Sequence, residues 1–355
     1  MRVEIEPIWR FRREDNEQSM LVMLDFLNEL RATGKITRAA ERAHLSYRHC
    51  WNLIEKWAGF FGAPLVERSR GRGTQLTPLG EKLVWAGERL QARLRPQLQN
   101  LAQELESDLN EILPQRATTV RVHASHGFAV AKLSELLSRQ SDIRIDLRYV
   151  TNQNSLVSLA HDACELAGVH LPRGELRKAA IAAIQQWLNP AEHRIIGLVT
   201  REMGLMVKRG NPLRITALDR LLAPQVRFVN RDPESGTRRL LDQLLDQRKL
   251  DQTRIDGYER VEFTHAAVAA YVASGMADVS FGVEAAARQF DLDFVRLVTE
   301  DYFFVCRKQT LDNAAVKRVL DVMRSAEFQE AVAKLPGYAI KDAGMVKGIR
   351  DALRS

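Results

Sequence analysis

Residues 36–61, ITRAAERAHLSYRHCWNLIEKWAGFF, constrain this chain more than any other stretch. They hold two short helical patterns joined by a turn too tight for anything but a helix-turn-helix. Thr37 is expected to cap the first helix, and Ala39, Ala40 and Ala43 keep its side chains small enough for a second helix to cross closely. Leu45 supplies the apolar plug of the turn, and Ser46 is expected to cap the second helix. There Cys50, Ile54 and Trp57 recur at helical spacing and face inward. The opposite face carries Tyr47, Arg48, His49, Asn52 and Lys56, donor-rich side chains able to reach base edges and phosphates in a major groove. Trp51 either touches DNA or packs against the preceding helix or the segment that follows.

The flanks extend this pattern. Residues 2–13 alternate apolar and charged side chains and predict a short strand or hairpin arm. Leu21, Leu24, Leu27 and Leu30 predict a helix over 19–32 with Ser19 as its cap and Gly34 as its stop. After Gly62 and Pro64, residues 65–66 and 75–76 can pair as strands around a loop holding Arg68, Arg70 and Arg72, which makes a wing. Between Thr37 and Gly73 there are seven Arg or Lys against three acids, an excess placed where phosphates would lie. Thr77-Pro78 then opens a long helix with a leucine stripe from Leu79 to Leu113, kinked or broken at Pro96. A stripe of that length needs a partner, which argues for pairing between two subunits.

Bulk properties agree with this reading. A 355-residue chain with 45% hydrophobic residues can bury full cores and should divide into two or three domains. The net charge of +7 and pI near 9.4 favour a polyanionic partner. The start, MRVEIEPIWRFRRED, lacks the uninterrupted apolar core of a signal peptide, and no stretch holds the roughly 18 apolar residues of a membrane span. Cys50, Cys164 and Cys306 are far apart with no CxxC pairing, so the expectation is reduced thiols in a cytoplasmic protein.

Beyond residue 119 the style changes. Strand-like runs at 120–123, 143–150, 166–170, 197–207, 226–230, 279–282 and 302–307 alternate with helical segments such as 129–138 and 314–326, implying an α/β layered domain with a parallel sheet. Four strand-to-helix loops carry small hydroxyl or amide residues: Ser125, Thr151-Asn152, Ser235-Gly236-Thr237 and Thr264. Each hydroxyl taken singly is an ordinary N-cap candidate, but their recurrence at strand ends lets several positive helix termini converge on one anion. Gly236 would allow close backbone approach. Arg238 either neutralises charge in the cleft or lies on a solvated helix face, and His265 either donates to the ligand or steadies its helix end. His123 and His126, three apart on or just after a strand, would point to different faces, so a metal site is not expected.

The segment LSYRHCWNLI (residues 45–54), with PLVERSRGRGTQLTPLGEKL after it, resembles the ModE-type winged-helix domain of molybdate-responsive regulators, itself related to the LysR type, over about residues 1–112. The second half is similar to the periplasmic-binding-protein-like domain of molybdate-type regulators and molybdopterin-related proteins over roughly residues 117–340. The residues that carry this likeness are Ala124-Ser125-His126, the run from Asn230 to Arg238, the run from Phe263 to Ala269, and Ser274-Gly275-Met276-Ala277-Asp278.

The expected fold is therefore an α-helical winged helix-turn-helix domain plus an α/β two-lobed periplasmic-binding-protein-like domain, joined by a long linker helix. The expected organisation is 1–78 for the DNA-binding domain, 79–113 for the linker and dimerisation helix, and 114–355 for the sensing domain, its second lobe roughly 208–300. DNA-binding candidates are Thr37, Ser46, Tyr47, Arg48, His49, Asn52, Lys56, Arg68, Arg70 and Arg72. Ligand-binding candidates are Ser125, His126, Thr151, Asn152, Ser235, Gly236, Thr237, Arg238, Thr264 and His265.

The function these imply is a ligand-responsive transcriptional regulator without cofactor or metal, binding double-stranded DNA as a homodimer or dimer of dimers, with no membrane partner. Its effector would be a small anion: a molybdate- or tungstate-type oxyanion, a formate-like carboxylate or a molybdenum-cofactor-related compound. The controlled genes would serve molybdenum-linked or formate dehydrogenase-type metabolism. The alternative is a molybdopterin-related enzyme or binding protein built on the α/β half. Against an enzyme, Ser235 lies in Glu-Ser-Gly rather than a GxSxG elbow, and no phosphate-loop pattern appears.

Overall fold

A hairpin of β1 (Arg10–Arg13) and β2 (Asn16–Ser19) precedes the first helix in a computed structural model that describes residues 3–13, 16–69, 73–112, 118–139 and 143–354. Ser19 ends β2 and does not cap; Met20 is the N-cap residue of α1 (Leu21–Thr33), whose apolar stripe buries Met23, Leu24, Phe26, Leu27 and Leu30. Gly34, left-handed at φ 64°, closes α1 and returns its N–H to the Leu30 carbonyl. α2 (Ile36–Arg42) begins one residue before Thr37, with Lys35 at the N-cap and no side-chain cap. Thr37 therefore lies exposed in the first turn, because Ile36 is drawn into the core and pulls the helix start back.

α3 (Tyr47–Phe61) is capped by Ser46, whose hydroxyl accepts the His49 N–H at 3.2 Å, and it buries Cys50, Ile54 and Trp57. Trp57 is 1% exposed and packs against the rings of Phe11, Phe60 and Phe61. β3 (Val66–Ser69) and β4 (Gly73–Leu76) form the wing, with Val66 opposite Leu76. At its base Gly73 passes so close to α1 that an added Cβ would lie 2.3 Å from the Gly34 carbonyl oxygen, so no side chain fits. α4 (Pro78–Ile112) starts as expected: the Thr77 hydroxyl accepts the Gly80 N–H and donates to the Pro64 carbonyl.

The chain divides into two compact units inside α4, Glu6–Ala92 and Met1–Ile5 with Arg93–Ser355. The division falls one turn before Pro96, which has no N–H to give to the Ala92 carbonyl. α4 stays helical through Pro96.

The second unit continues as β5 (Thr118–Ala124), α5 (Phe128–Ser138), β6 (Ile143–Tyr149), α6 (Asn152–Ala160), β7 (Leu166–Pro172) and α7 (Arg177–Ile184). β8 (His193–Val207), β9 (Phe228–Arg231), α8 (Gly236–Gln247), β10 (Val261–Glu262), α9 (His265–Ala273), β11 (Val279–Val283) and α10 (Glu284–Gln289) follow. β12 (Asp293–Arg307), α11 (Ala314–Arg324), α12 (Ala326–Ala333), β13 (Tyr338–Ile340), β14 (Val346–Gly348) and α13 (Ile349–Arg354) complete it.

The strand order is β10-β9-β11-β8-β12-β7-β5-β6, with β13 and β14 also pairing with β8. The sheet is mixed rather than parallel: β5, β6 and β7 are parallel to one another, as are β9, β10 and β11, but β8 and β12 run antiparallel to each other and to their other neighbours. The reason is that these two fifteen-residue strands carry the chain into the second lobe and back. Their ends at 203–207 and 293–298 belong to the lobe of β9, β10 and β11, while β12 pairs over 300–305 with β7 of the first lobe. The early part of β12 was not evident in sequence because Asp293, Arg296 and Glu300 interrupt its apolar run.

Within this unit the distal part of α4 lies on its own sheet. Asn100 pairs like a strand residue with Tyr149 of β6, donating to its carbonyl at 3.2 Å and accepting its N–H at 2.9 Å. Glu106 accepts from Arg144 and from the Val3 N–H. Arg93 stacks over the Phe263 ring and stands 3.7 Å from the Glu262 carboxylate. Of the leucine stripe, Leu83 is buried, Leu90, Leu94, Leu98 and Leu109 are half-buried, and Leu101 and Leu105 are exposed; Leu113 lies outside the described residues.

Candidate nucleic-acid interface and anion cleft

In the first unit, the same turn of geometry that buries Cys50, Ile54 and Trp57 sends Tyr47, Arg48, His49, Asn52 and Lys56 to solvent on the other side of α3. Tyr47 is 49% exposed. Ser46 is committed to its cap, which fixes the start of α3. Arg68 on the wing places its guanidinium 5.1 Å from the centre of the Trp51 ring, so Trp51 is half-buried between α3 and the wing. Arg70 and Arg72 lie outside the described residues. The face as described is cationic and donor-rich, the chemistry that phosphates and purine edges require.

In the second unit the four hydroxyl-bearing loops do meet at the C-terminal ends of β5, β6, β9 and β10, but most of their side chains are already used. Thr151, Ser235 and Thr264 are N-caps that accept the N–H groups of Asn154, Arg238 and Ala267 at 3.2, 3.1 and 2.8 Å. Ser125 does not cap, since Gly127 holds that position on α5; its hydroxyl reaches Asn152 and its carbonyl accepts the Tyr302 hydroxyl at 2.9 Å. Asn152 is stitched to the His170 backbone in both directions. Thr237 approaches His265 Nε2 at 3.4 Å. Gly236 is required, because an added Cβ would lie 2.5 Å from His170 Cε1. Arg238 is buried against the Tyr258 ring and bonded to Asp242 on its own helix, so it neither reaches across the cleft nor lies on a solvated face.

The side chains that give this cleft its charge are others, and sequence patterns had not singled them out. Arg201 of β8 and Glu300 of β12 are direct cross-strand partners, each 1% exposed, with Arg201 Nε 2.8 Å from Glu300 Oε2. The other carboxylate oxygen meets His170 Nδ1 at 3.0 Å. Burial works against ionisation of Glu300, but Arg201 and His170 overcome it and hold the carboxyl down at about 2.

Arg231, at the end of β9, has no such carboxylate. Its Nη2 donates to the Phe263 carbonyl at 2.9 Å, and its Nε and Nη1 find no hydrogen-bond partner among the described residues. Burial, and then the charge of Arg201, push it down to about 10, so it is still a cation at neutral pH. His265 is held well below its ordinary value by burial and then by Arg231 and Arg201, and its Nδ1 is without a partner among the described residues. His126 is pushed down to about 4 by desolvation and then by Arg231. The cleft thus holds a buried cation with no carboxylate bonded to it, beside the imidazoles of His126 and His265, which burial keeps neutral. The available signal was a charge inside a near-continuous apolar strand: Arg201 in LVTREMGLMV and Arg231 closing FVNR. Among the described residues no group of His, Cys, Asp and Glu could hold a metal ion, and no helix is long and apolar enough to cross a membrane.

Comparison with known proteins places these two parts. YvgK of Bacillus subtilis (strain 168), an uncharacterised protein, is 30% identical over 56% of this chain and 64% of its own length. The molybdenum-pterin-binding protein MopB of Rhodobacter capsulatus is 32% identical over 27% of this chain and 37% of its own length. The chain thus spans less than two thirds of each of these relatives. A structure of OxyR from Corynebacterium glutamicum aligns with 88% of this chain and 94% of its own at 15% identity and a TM-score of 0.46. Residues 21–81 match the helix-turn-helix of the bacterial regulatory proteins of the lysR family, which are DNA-binding regulators and not enzymes, and residues 133–324 match the PBP superfamily domain. The chain belongs to the PBP superfamily over more than half its length and carries a lysR-family helix-turn-helix in front of it.

Proposed function

We propose that this protein is a ligand-responsive transcriptional regulator whose α3 face binds double-stranded DNA and whose two-lobed unit senses a small anion. The single observation that carries the anion is Arg231, a buried cation with two unused N–H directions and no carboxylate bonded to it. A buried charge without a partner costs several kcal/mol, and an anion entering the cleft removes that cost. Such a ligand draws both lobes together, since Arg231 and His265 belong to the second lobe and His126 and His170 to the first. The likeness to a protein named for binding molybdenum-pterin supports effectors of the molybdate, tungstate, formate or molybdenum-cofactor type and genes of molybdenum-linked metabolism.

Occupancy reaches the rest of the chain through α4. Asn100 holds it to Tyr149, whose ring packs against His126 at 4.8 Å in the first lobe. Arg93 holds it to Glu262 and Phe263, and the Phe263 carbonyl binds Arg231 in the second lobe. Lobe closure must therefore alter the hold on a helix that leads to the DNA-binding unit, a population shift driven by the ligand's preference for the closed state. Exposed Leu101 and Leu105 on the same helix offer an apolar contact for a second copy.

The test is a thermal-shift screen of the full chain against molybdate, tungstate, formate and a panel of small organic acids, with Arg231→Gln alongside. A rise in melting temperature lost in Arg231→Gln is expected. A rise of equal size in both proteins would remove Arg231 from the site.

A further inference from the structure

A cavity of about 150 Å³ opens beside the charged cluster; His170, Glu300 and Gly236 line it, as do Ala180, Trp187 and Leu240. A space of about this size holds one six-membered ring, the volume at which an apolar cavity takes up benzene. Leu171, Pro172, Ala180, Ala183, Ile184, Trp187 and Leu240 make most of its wall apolar, with Arg239 and Gln243 also lining it; the indole N–H of Trp187 has no acceptor among the described residues. A bare tetrahedral oxyanion would leave the apolar part of that wall uncovered.

The polar lining has a defined hydrogen-bonding sense. Glu300 is an ionised carboxylate bonded to Arg201, so it can only accept. His170 must then carry its proton on Nδ1 to make the 3.0 Å bond to Glu300, and a neutral imidazole with its proton on Nδ1 presents a lone pair at Nε2. That edge of the ring faces Gly236, where an added Cβ would stand 3.0 Å from Nε2, and His170 lines the cavity. An anion's own oxygen placed against Nε2 would set acceptor against acceptor. A hydroxyl or N–H group placed there completes the bond.

We infer that the effector is an organic anion with three parts: an anionic group for Arg231, which acts on His170 electrostatically, an O–H or N–H donor for His170 Nε2, and a ring or short branched chain for the apolar wall of the cavity that His170 lines. The inference rests on the anion reading above and narrows it, removing fully deprotonated inorganic oxyanions. His170 is the specificity-determining residue, its tautomer fixed by Glu300 and Arg201.

Isothermal titration of the full chain with four probes separates the parts. Mandelate has an anion, a donor and a ring; phenylacetate lacks the donor; lactate lacks the ring; molybdate lacks both. Mandelate is expected to bind at least tenfold more tightly than any of the other three. Ala180→Phe, which fills the apolar part of the cavity, should bring mandelate down to the level of lactate while leaving lactate unchanged, and Ala183→Phe, introduced from an exposed position, should do the same. Molybdate binding as tightly as mandelate, an unaltered mandelate affinity in both cavity variants, or no binding of mandelate at all would overturn the inference. Arg231→Gln keeps the two readings apart. Probe affinities that it leaves untouched would defeat the anion reading itself, whereas loss of every probe in Arg231→Gln together with equal affinities in the wild type would defeat only the cavity.

Discussion

Arg201 and Glu300 face one another across β8 and β12 where the chain passes between its lobes, each buried, with guanidinium and carboxylate 2.7 Å apart. Arg231 lies in the same cluster with no such partner. The pair and the lone cation should respond oppositely to neutralisation. Glu300→Gln leaves a second buried guanidinium uncompensated and is expected to cost about 3–5 kcal/mol. Arg231→Gln removes an uncompensated cation and should cost nothing, or stabilise by about 1 kcal/mol, in a buffer without oxyanions. Urea denaturation of both variants at neutral pH measures the contrast.

Acid should weaken the fold earlier than ordinary carboxylate titration would. His126 is pushed from 6.5 to about 4 on folding, so between those values the unfolded chain takes up a proton that the native chain refuses. Stability then falls as pH drops through that window, on the order of 3 kcal/mol from this group, with further loss between 4.5 and about 2, where the unfolded Glu300 carboxyl takes up a proton that the native one refuses. Denaturation midpoints at pH 7, 5.5 and 4.5 should decline steadily, and His126→Gln should flatten the upper part of the decline.

On DNA, Arg48 and Lys56 are exposed cations on the outer face of α3. Replacing a phosphate-contacting one by Ala should weaken binding on every duplex and lower the slope of log affinity against log salt by about 0.9. Asn52 has amide chemistry suited to an adenine edge, and Asn52→Ala should instead relax sequence preference, by roughly 1–3 kcal/mol at one base pair. Salt titrations on duplexes selected from genomic fragments distinguish the two behaviours.

Asn100 and Arg93 tie α4 to opposite lobes, and cutting either tie should separate sensing from response. Asn100→Ala or Arg93→Ala is expected to keep effector affinity within about threefold while the effector's influence on DNA affinity, normally about 5–150-fold for coupled sites, disappears. Parallel titrations of effector and duplex check this.

Much of the first unit was legible in sequence because its signals are local. The inward spacing of Cys50, Ile54 and Trp57, the Ser46 cap and the Thr77-Pro78 start are written within one turn of the residues they govern. The misplaced caps at Ser19 and Thr37 were lost to burial of Met20 and Ile36, a tertiary effect. In the second unit the strand-to-helix loops could be read, but not which of their groups were already spent, since capping uses the hydroxyls of Thr151, Ser235 and Thr264 before any ligand can. Arg201, Glu300 and His170 come from three strands, and only their register brings them together. The mixed sheet was hidden for the same reason: β8 and β12 pair over a long separation that leaves no trace in local pattern.

The most direct test is the affinity of the full chain for its selected duplex, measured by fluorescence anisotropy with and without molybdate, formate and mandelate in turn, for the wild type and for Arg231→Gln. The account predicts that at least one of these anions changes the wild-type affinity fivefold or more while Arg231→Gln binds the duplex normally and is indifferent to all three. An anion effect of the same size in Arg231→Gln, or none in either protein, would contradict it.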